Sequence, residues 1–413
     1  MDLTRLARKI TFTLFLAMSL GSAGFIVAAT VNTIVGADLS GNPAWAGLPA
    51  AMFTLGTAIS AFLLGFAMER FGRRMGMMIG LGAGLFGTVL AAMAIGVVSF
   101  PLFLAGMVFS GAARAALQLG RFAAAEVHPP EQRGRAISNV VIGGTVGAVL
   151  GPWLAGPMGQ WSISAGYDEM LGPYVASFAL IALAALAVFI LLRPDPRELG
   201  KEVERLYPEA EVEEGRVRTF RQVIRIPAAA VAIAAMVLSQ VVMVMLMGIT
   251  ALYMKDNQHE LLAISAVISA HTFGMYAFSI VSGQLSDRWG RGQVILVGGV
   301  GLVLACLLAP ISTALVPLAL SLFLLGLGWN FCYVGGSSLL ADQLNHLERS
   351  KIQGTNDLLV GLATALGSFI SGLIFASMGY GMVGIIGALL ALIPLGMTLR
   401  WQLSQRKLAS NTG

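Results

Sequence analysis

Charged side chains are scarce in this sequence. Asp, Glu, Lys and Arg make up 11% of its 413 residues, whereas hydrophobic residues make up 57%. A soluble globular protein carries about 25% charged residues, so the composition excludes an ordinary soluble domain. Apolar stretches follow one another with short gaps, and each approaches the ~20 residues that a helix needs to cross a bilayer. The composition therefore predicts an all-α membrane protein.

Long polar segments are missing, with one exception between residues 193 and 226. The apolar stretches on either side predict twelve spans, at 10–34, 45–67, 75–96, 100–124, 136–158, 172–192, 227–252, 262–284, 292–311, 315–340, 354–377 and 381–399. We therefore predict a six-helix bundle over 1–192, a cytoplasmic linker over 193–226 and a second six-helix bundle over 227–413.

Cysteine is nearly absent, and carboxylates are absent from the middle of the predicted spans. The two cysteines, Cys306 and Cys332, both fall inside spans, which excludes a disulfide framework and a CxxC motif. No Asp or Glu lies at a predicted midplane. Since intramembrane carboxylates mark proton relays, their absence weakens the hypothesis of drug/proton antiport, which stays open as an alternative.

Positive charge is concentrated on one side of the predicted topology. The formal net charge is +5, and only Lys255 falls in an outside loop when the N-terminus is placed inside. This distribution follows the positive-inside rule. It accounts for the basic composition without a nucleic-acid partner, and it predicts cytoplasmic N- and C-termini.

Two sequence markers recur at a nearly constant separation. GFAMERFGRR begins at Gly65, and GQLSDRWGRG begins at Gly283. A second pair of markers, around Arg133 and Arg349, has almost the same separation in residue number. Two markers that share one offset predict an internal duplication.

The repeated loop resembles the signature of the major facilitator superfamily, and the resemblance covers nearly the whole chain. It implies a transporter fold of twelve helices in two similar halves, no enzyme activity, and a gating role for the loop. We expect Gly65 and Gly283 to allow close helix packing, and Glu69 and Asp287 to pair with an arginine or a helix N-terminus. The candidate gating residues are Gly65, Glu69, Arg70, Gly72, Arg73, Gly283, Asp287, Arg288, Gly290 and Arg291. A plain positive-inside anchor is the alternative.

The fifth span contains a run of small residues around a proline, GAVLGPWLAG. It resembles the glycine-proline motif of facilitator antiporters. Small residues allow close helix packing and proline introduces a kink. The residues concerned are Gly147, Gly151, Pro152 and Gly156.

Soft, uncharged side chains occur at helical spacing in the seventh and eighth spans. Met243 and Met247 are four residues apart, as are His271 and Met275, so each pair lies on one helix face. Thioether and imidazole suit Cu(I), and neutral ligands permit release of the ion. Met243 and His271 each lie ~14 Å below the outer end of their span, so they share one level. Since methionine is also a common filler of hydrophobic cores, packing is the alternative interpretation.

The M-x-x-x-M and H-x-x-x-M pair resembles that of the bacterial CcoA-like copper importers. The resemblance implies copper uptake across the inner membrane by alternating access, in support of cytochrome oxidase assembly. Copper would be a transported substrate and not a cofactor. The related set includes riboflavin transporters, so uptake of a flat aromatic vitamin stays open. Its candidate stacking residues are Tyr276, Trp329, Phe331 and Tyr333.

Other polar side chains within the spans mark a candidate translocation path, because polar groups in a membrane point to function. They are Asn32, Arg114, Trp329, Asn330, Cys332 and Asp357. We expect a monomer in the lipid bilayer, with the copper ion as ligand and copper chaperones on either side as candidate partners.

Overall fold

The computed structural model describes residues 3–207 and 218–412, without side chains for 346–347, 349–350 and 406–412. The predicted linker residues 208–217 therefore lie outside the described residues. The rest of the predicted linker divides between two compact units. The first unit comprises residues 1–41, 48–213 and 260–265, and the second comprises 42–47, 214–259 and 266–413.

The described residues form helices and short 3-10 turns, without a strand. The first nine α-helices are α1 (Leu3–Ala29), α2 (Asn32–Ser40), α3 (Leu48–Phe71), α4 (Arg73–Gly96), α5 (Phe100–Glu126), α6 (Pro130–Leu150), α7 (Ala155–Ser164), α8 (Leu171–Leu191) and α9 (Pro196–Leu206). The remaining helices are α10 (Phe220–Val223), α11 (Pro227–Asp256), α12 (Leu261–Tyr276), α13 (Ser279–Trp289), α14 (Arg291–Leu308), α15 (Leu315–Asp342) and α16 (His346–Thr412).

Eleven helical stretches of the described chain are long and apolar enough to cross a membrane. The last of them, Lys351–Gln405, has 55 residues, which is more than twice the length of one crossing. Its helix leaves the helical conformation at Gly379, where φ is 78°. This stretch therefore provides two crossings, and the fold is the twelve-span, all-α architecture that the sequence predicts.

Three predicted spans are interrupted. The first span breaks at Thr30 and Val31, between α1 and α2. The fifth span breaks at Gly151 and Pro152, where a short 3-10 turn separates α6 from α7. The eighth span breaks at residues 277–278, between α12 and α13. The glycine-proline motif predicts the break in the fifth span. Hydropathy does not register the other two, because the apolar run continues across them.

The close packing of α5 on α3 shows how the first half is built. A Cβ atom at Gly111 of α5 would lie 2.5 Å from the carbonyl oxygen of Phe53 and 2.5 Å from the backbone nitrogen of Thr57. Only a residue without a side chain permits this approach.

The second half repeats this packing between α15 and α12. A Cβ atom at Gly326 of α15 would lie 2.2 Å from the carbonyl oxygen of His271 and 2.9 Å from the backbone nitrogen of Met275. His271 and Met275 follow Phe53 and Thr57 at the same offset in residue number that separates the two gating loops. The offset of the sequence duplication thus also relates the two packing contacts.

A polar contact is repeated in the same way. The Tyr174 hydroxyl donates to the side-chain oxygen of Asn32 at 2.6 Å. In the second half, the Tyr380 and Thr250 hydroxyls are 2.8 Å apart. Thr250 follows Asn32 at the duplication offset. The duplication is therefore visible in buried hydrogen bonds as well as in the sequence.

Candidate functional site

His271 is the most buried of the four predicted metal ligands, with an exposed fraction of 0%. Its Nδ1 atom lies 2.9 Å from the carbonyl oxygen of Leu322 on α15. A carbonyl oxygen only accepts hydrogen bonds, so Nδ1 carries the proton. In a neutral ring, Nε2 then carries the lone pair. Among the described residues, this buried Nε2 has no hydrogen-bond partner.

This arrangement is typical of a histidine that binds a metal ion. A ligating histidine usually donates its other ring N–H to a carbonyl or carboxylate, which fixes both the ring and its tautomer. The Leu322 carbonyl provides that second contact here. A buried nitrogen without a partner is costly, so its lone pair is available to a ligand.

The methionines differ in their surroundings. Met243 and Met275 are buried, with exposed fractions of 6% and 7%. Met247 is half-buried. Met245 packs beside Gly367 of α16, on another face of α11. The described residues contain no group of three or more His, Cys, Asp or Glu suited to a metal ion.

The duplication relates Met243 and His271 to two side chains that meet in the first half. Phe25 and Phe53 precede them at the duplication offset. The ring centroids of Phe25 and Phe53 are 5.8 Å apart, and both rings line an internal cavity of about 30 Å³. Met243 and His271 therefore occupy the positions that correspond to an aromatic pair in contact.

Asn330 of α15 bridges the break in the eighth span. Its side-chain nitrogen donates to the Met275 carbonyl at 2.6 Å and to the Ser279 hydroxyl at 2.9 Å. In an unbroken helix, the Met275 carbonyl would accept from the backbone N–H four residues later. Asn330 thus replaces the backbone donor, and it holds the end of the helix that carries His271 and Met275.

An aromatic cluster lies on α15 beside this break. The rings of Trp329 and Tyr333 stack with centroids 5.0 Å apart, and the Tyr276 ring lies 6.3 Å from that of Trp329. Trp329 donates from its indole nitrogen to Gln240 of α11 at 2.8 Å. Three of the four residues predicted to stack on a flat substrate thus form one cluster.

The remaining candidates for a translocation path have separate surroundings. In the first unit, the guanidinium carbon of Arg114 lies 5.6 Å from the Phe53 ring centroid. In the second unit, Cys332 is buried, with its Sγ atom 3.6 Å from the Ile295 carbonyl oxygen. Asp357, also in the second unit, is exposed. Cys332 and Asp357 therefore differ from each other in burial.

The first predicted gating loop, which begins at Gly65, is held by carboxylates from other segments. Arg73 binds Glu126 of α5 through two nitrogen atoms. The carboxylate of Asp195 accepts from the backbone nitrogens of Arg73 and Arg74, at 3.1 and 3.0 Å. Asp195 therefore caps the N-terminus of α4. Asp195 is not among the predicted gating residues, because a capping residue so distant in the chain leaves no local pattern. The prediction for Glu69 is a contact with an arginine or a helix N-terminus, and the charge of Glu69 acts on Arg73.

The second predicted gating loop, which begins at Gly283, has a related arrangement. Arg291 binds both Asp287 and, at 3.1 Å, Asp342 at the end of α15. Gly72 and Gly290, which precede α4 and α14, have φ values of 93° and 95°. Such left-handed backbone favours glycine, so a tight turn is present at both loops.

The predicted close packing at Gly65 and Gly283 is wrong for this structure. A Cβ atom at either position would meet no atom within 4 Å. The close packing predicted for the fifth span is present, since a Cβ atom at Gly147 would lie 1.9 Å from the Ser19 carbonyl oxygen. At Gly156 it would lie 2.8 Å from the Leu262 Cα atom.

Comparison with known proteins identifies the family of this chain. The sequence profile of the Major Facilitator Superfamily matches residues 12–259 and 231–411. The chain belongs to the major facilitator superfamily. It is accordingly a multi-pass membrane transporter and not an enzyme.

Two relatives align along nearly the whole transporter. An uncharacterized MFS-type transporter of Bacillus subtilis, YdeG, is 34% identical over 94% of this chain and 90% of its own length. The riboflavin transporter RfnT of Brucella anthropi is 30% identical over 95% of this chain and 96% of its own length. Among solved structures, the nucleoside transporter NupG has a TM-score of 0.68 with 17% identity, over 96% of this chain and 99% of NupG. That likeness shows the fold alone.

Proposed function

We propose that this transporter imports copper, bound as Cu(I) by Met243, Met247, His271 and Met275. The observation that carries the proposal is the state of His271. Its Nδ1 atom is held by the Leu322 carbonyl, and its buried Nε2 atom has no hydrogen-bond partner among the described residues. An unpaired buried nitrogen is costly, and a metal ion bound at Nε2 would remove that cost.

The chemistry of the four side chains supports the choice of ion. Thioether sulfur and neutral imidazole are soft or borderline ligands, which select Cu(I) over Mg²⁺ or Ca²⁺. None of them adds a negative charge to the membrane interior. An ion held by neutral ligands also leaves more easily than one held by thiolates, and transport requires release.

The internal duplication supports the convergence of the ligands. Met243 and His271 correspond to Phe25 and Phe53, whose ring centroids are 5.8 Å apart. We infer that the methionine sulfur and the imidazole occupy the same relative positions in the second half. Met275 follows His271 by one helical turn, as Met247 follows Met243.

The cellular setting is part of the proposal. The positive-inside distribution supports a cytoplasmic membrane location with both termini inside. Alternating access would take up the ion outside and release it inside. The resemblance to CcoA-like importers supports a role in supplying copper for cytochrome oxidase assembly. We further propose a monomer that receives copper from, or hands it to, copper chaperones.

Cu(I) binding by the purified transporter tests the site directly. Competition with a colorimetric Cu(I) chelator should give one bound ion per chain. Met243→Leu and His271→Phe, which keep an apolar side chain of comparable size, should each weaken binding by about tenfold or more, as expected for loss of a ligand worth at least about 1.4 kcal/mol. Met245→Leu is the matched control, because Met245 packs beside Gly367 on another face of the same helix.

Equal Cu(I) affinities for the Met243→Leu and Met245→Leu variants would contradict the assignment of the site. Absence of Cu(I) binding by the unmodified transporter would reject the copper proposal altogether.

Riboflavin is the second candidate substrate. RfnT is 30% identical and named as a riboflavin transporter, and the cluster of Tyr276, Trp329 and Tyr333 offers stacking surfaces for a flat ring. Uptake of labelled riboflavin by a transport-deficient strain expressing this chain tests it. Trp329→Leu should abolish riboflavin uptake if the cluster binds it, whereas Met243→Leu should not change it.

A further inference from the structure

A second cavity of about 470 Å³ lies in the first unit, at the end of the spans that the charge distribution assigns to the cytoplasm. This volume falls within the range of pockets for small molecules. Its charged lining consists of Arg73, Glu126, Arg133, Arg197, Lys201 and Glu204. The proposed copper ligands belong to the other unit, so this cavity is a separate feature.

One wall of the cavity is the amphipathic helix α9. Asp195 caps its N-terminus by accepting from the backbone nitrogen of Arg197 at 2.9 Å. Leu199 and Val203 are buried, with exposed fractions of 5% and 3%, so they anchor the helix. Gly200 packs close to the backbone of Glu126.

The opposite face of α9 presents charge to the cavity. Arg197, Lys201 and Glu204 are exposed and line it. Their spacing of four and three residues places them along one side of the helix. The cavity therefore has a rim of mixed charge on a helix whose position is fixed by its apolar face.

The lining carries an excess of positive charge. Four cationic side chains face two carboxylates. One of these carboxylates, that of Glu126, is bound to Arg73 through two nitrogen atoms, so it is already neutralised. Apart from this pair, α9 alone lines the cavity with two exposed cations, Arg197 and Lys201, and one carboxylate, that of Glu204.

We propose that this cavity binds a phosphate-bearing anion. Guanidinium and ammonium groups in its lining match the several oxygens of a phosphate group. Phe122 and Ala125 provide an apolar wall beside them. A basic pocket at the cytoplasmic end of membrane helices is the type of site that receives anionic lipid headgroups.

The phosphate group could come from an anionic phospholipid or from a soluble compound such as inorganic phosphate or ATP. Two assays on the purified full-length transporter separate these sources. Native mass spectrometry counts phosphatidylglycerol retained by the chain, with phosphatidylcholine as the reference lipid. Thermal unfolding in lipid-free detergent detects stabilisation by inorganic phosphate or ATP.

Single-charge variants on α9 assign the binding to the cavity. Lys201→Gln and Arg197→Gln should each weaken binding about fivefold, as expected for a cation worth about 1 kcal/mol near the membrane surface. Arg205→Gln removes the same charge from the same helix, but Arg205 does not line the cavity and its side chain is 80% exposed. That control should bind as the unmodified chain does.

Retention of phosphatidylglycerol alone would identify a lipid site, and stabilisation by phosphate or ATP would identify a soluble ligand; either supports the proposal. Equal weakening by Lys201→Gln and Arg205→Gln would overturn it, since binding would then reflect the general charge of the surface. Equal retention of phosphatidylglycerol and phosphatidylcholine, together with no stabilisation by inorganic phosphate or ATP, would also overturn it. None of these outcomes depends on copper.

Discussion

Asn330 donates a hydrogen bond of 2.6 Å to the backbone carbonyl of Met275, at the point where the eighth span is interrupted. The same nitrogen reaches the Ser279 hydroxyl on the other side of the break. Asn330 thus joins α12, which carries the proposed copper ligands His271 and Met275, to α13, which leads to the second predicted gating loop.

We predict that Asn330→Leu destabilises the transporter by about 1–3 kcal/mol, because it leaves the Met275 carbonyl without a donor in a buried position. Thermal unfolding in detergent measures this change. Ser279→Ala serves as the comparison, since it removes only the second acceptor and should have a smaller effect. Equal stability of Asn330→Leu and the unmodified protein would show that the break is held by other contacts.

The glycine contacts predict a strong positional effect of a single methyl group. Gly326→Ala would place a Cβ atom 2.2 Å from the His271 carbonyl oxygen, and we expect a loss of about 3 kcal/mol or failure to fold. Gly248→Ala, on α11, meets no atom within 4 Å and should be neutral or slightly stabilising. Expression level and unfolding temperature distinguish them. Similar behaviour of the two variants would refute the proposed tight contact between α12 and α15.

The two buried hydrogen bonds of Tyr174 and Tyr380 should differ in strength. Tyr174→Phe removes the donor to the Asn32 side-chain oxygen, and we expect a loss of about 1–3 kcal/mol. Thr250 already donates to the Leu246 carbonyl at 2.7 Å, so Tyr380 is the donor in its pair. Tyr380→Phe therefore leaves a hydroxyl that remains bonded, and its cost should be smaller. Unfolding of both variants in parallel tests this order, and the reverse order would contradict it.

Arg218, at the end of the predicted linker, binds a buried carboxylate of the second half. Glu348 accepts from the backbone nitrogen, Nε and a terminal nitrogen of Arg218, each at 2.8 Å. Hydrogen bonding to the Arg218 guanidinium lowers the pKa of Glu348 to about 2. The same contact raises the pKa of Arg218. The ion pair therefore persists in the folded protein well below neutral pH.

This pKa shift predicts a pH-dependent contribution to stability. An unfolded glutamate titrates near pH ~4.3, so the stabilisation is fully present above that pH and is lost as the pH falls toward the folded pKa of Glu348. Glu348→Gln should lower the unfolding temperature at near-neutral pH and have less effect in acid, between the two pKa values. Glu131→Gln, at an exposed position of α6, is the control. If Glu348→Gln lowered the unfolding temperature equally at near-neutral pH and in acid, the result would count against the ion pair.

Much of the architecture could be predicted from the sequence because it depends on local properties. Apolar run length indicates the spans, and two short markers indicate the duplication. The spacing to Met275 also singled out His271. It did not indicate the Leu322 carbonyl that fixes the ring, because that contact joins positions on two different helices.

The features that sequence reasoning missed are likewise contacts between distant segments. Asp195 caps a helix that begins at Arg73, far earlier in the chain. Asn330 of α15 supports the break between α12 and α13. In both cases the residue type is ordinary in its own neighbourhood, and only the fold brings it to its partner. A further sequence-based error, at Gly65 and Gly283, arose because a glycine pattern does not specify which helix faces are in contact.

Copper uptake into proteoliposomes tests the central claim most directly. Purified transporter, with and without a proton gradient, is offered radioactive copper under reducing conditions, and the ion retained inside the vesicles is counted. The account predicts uptake by the unmodified protein and by Met245→Leu, and loss of uptake for Met243→Leu and His271→Phe while these variants remain folded. Copper uptake at an unchanged rate in all four proteins, or uptake of riboflavin in the absence of any copper transport, would contradict it.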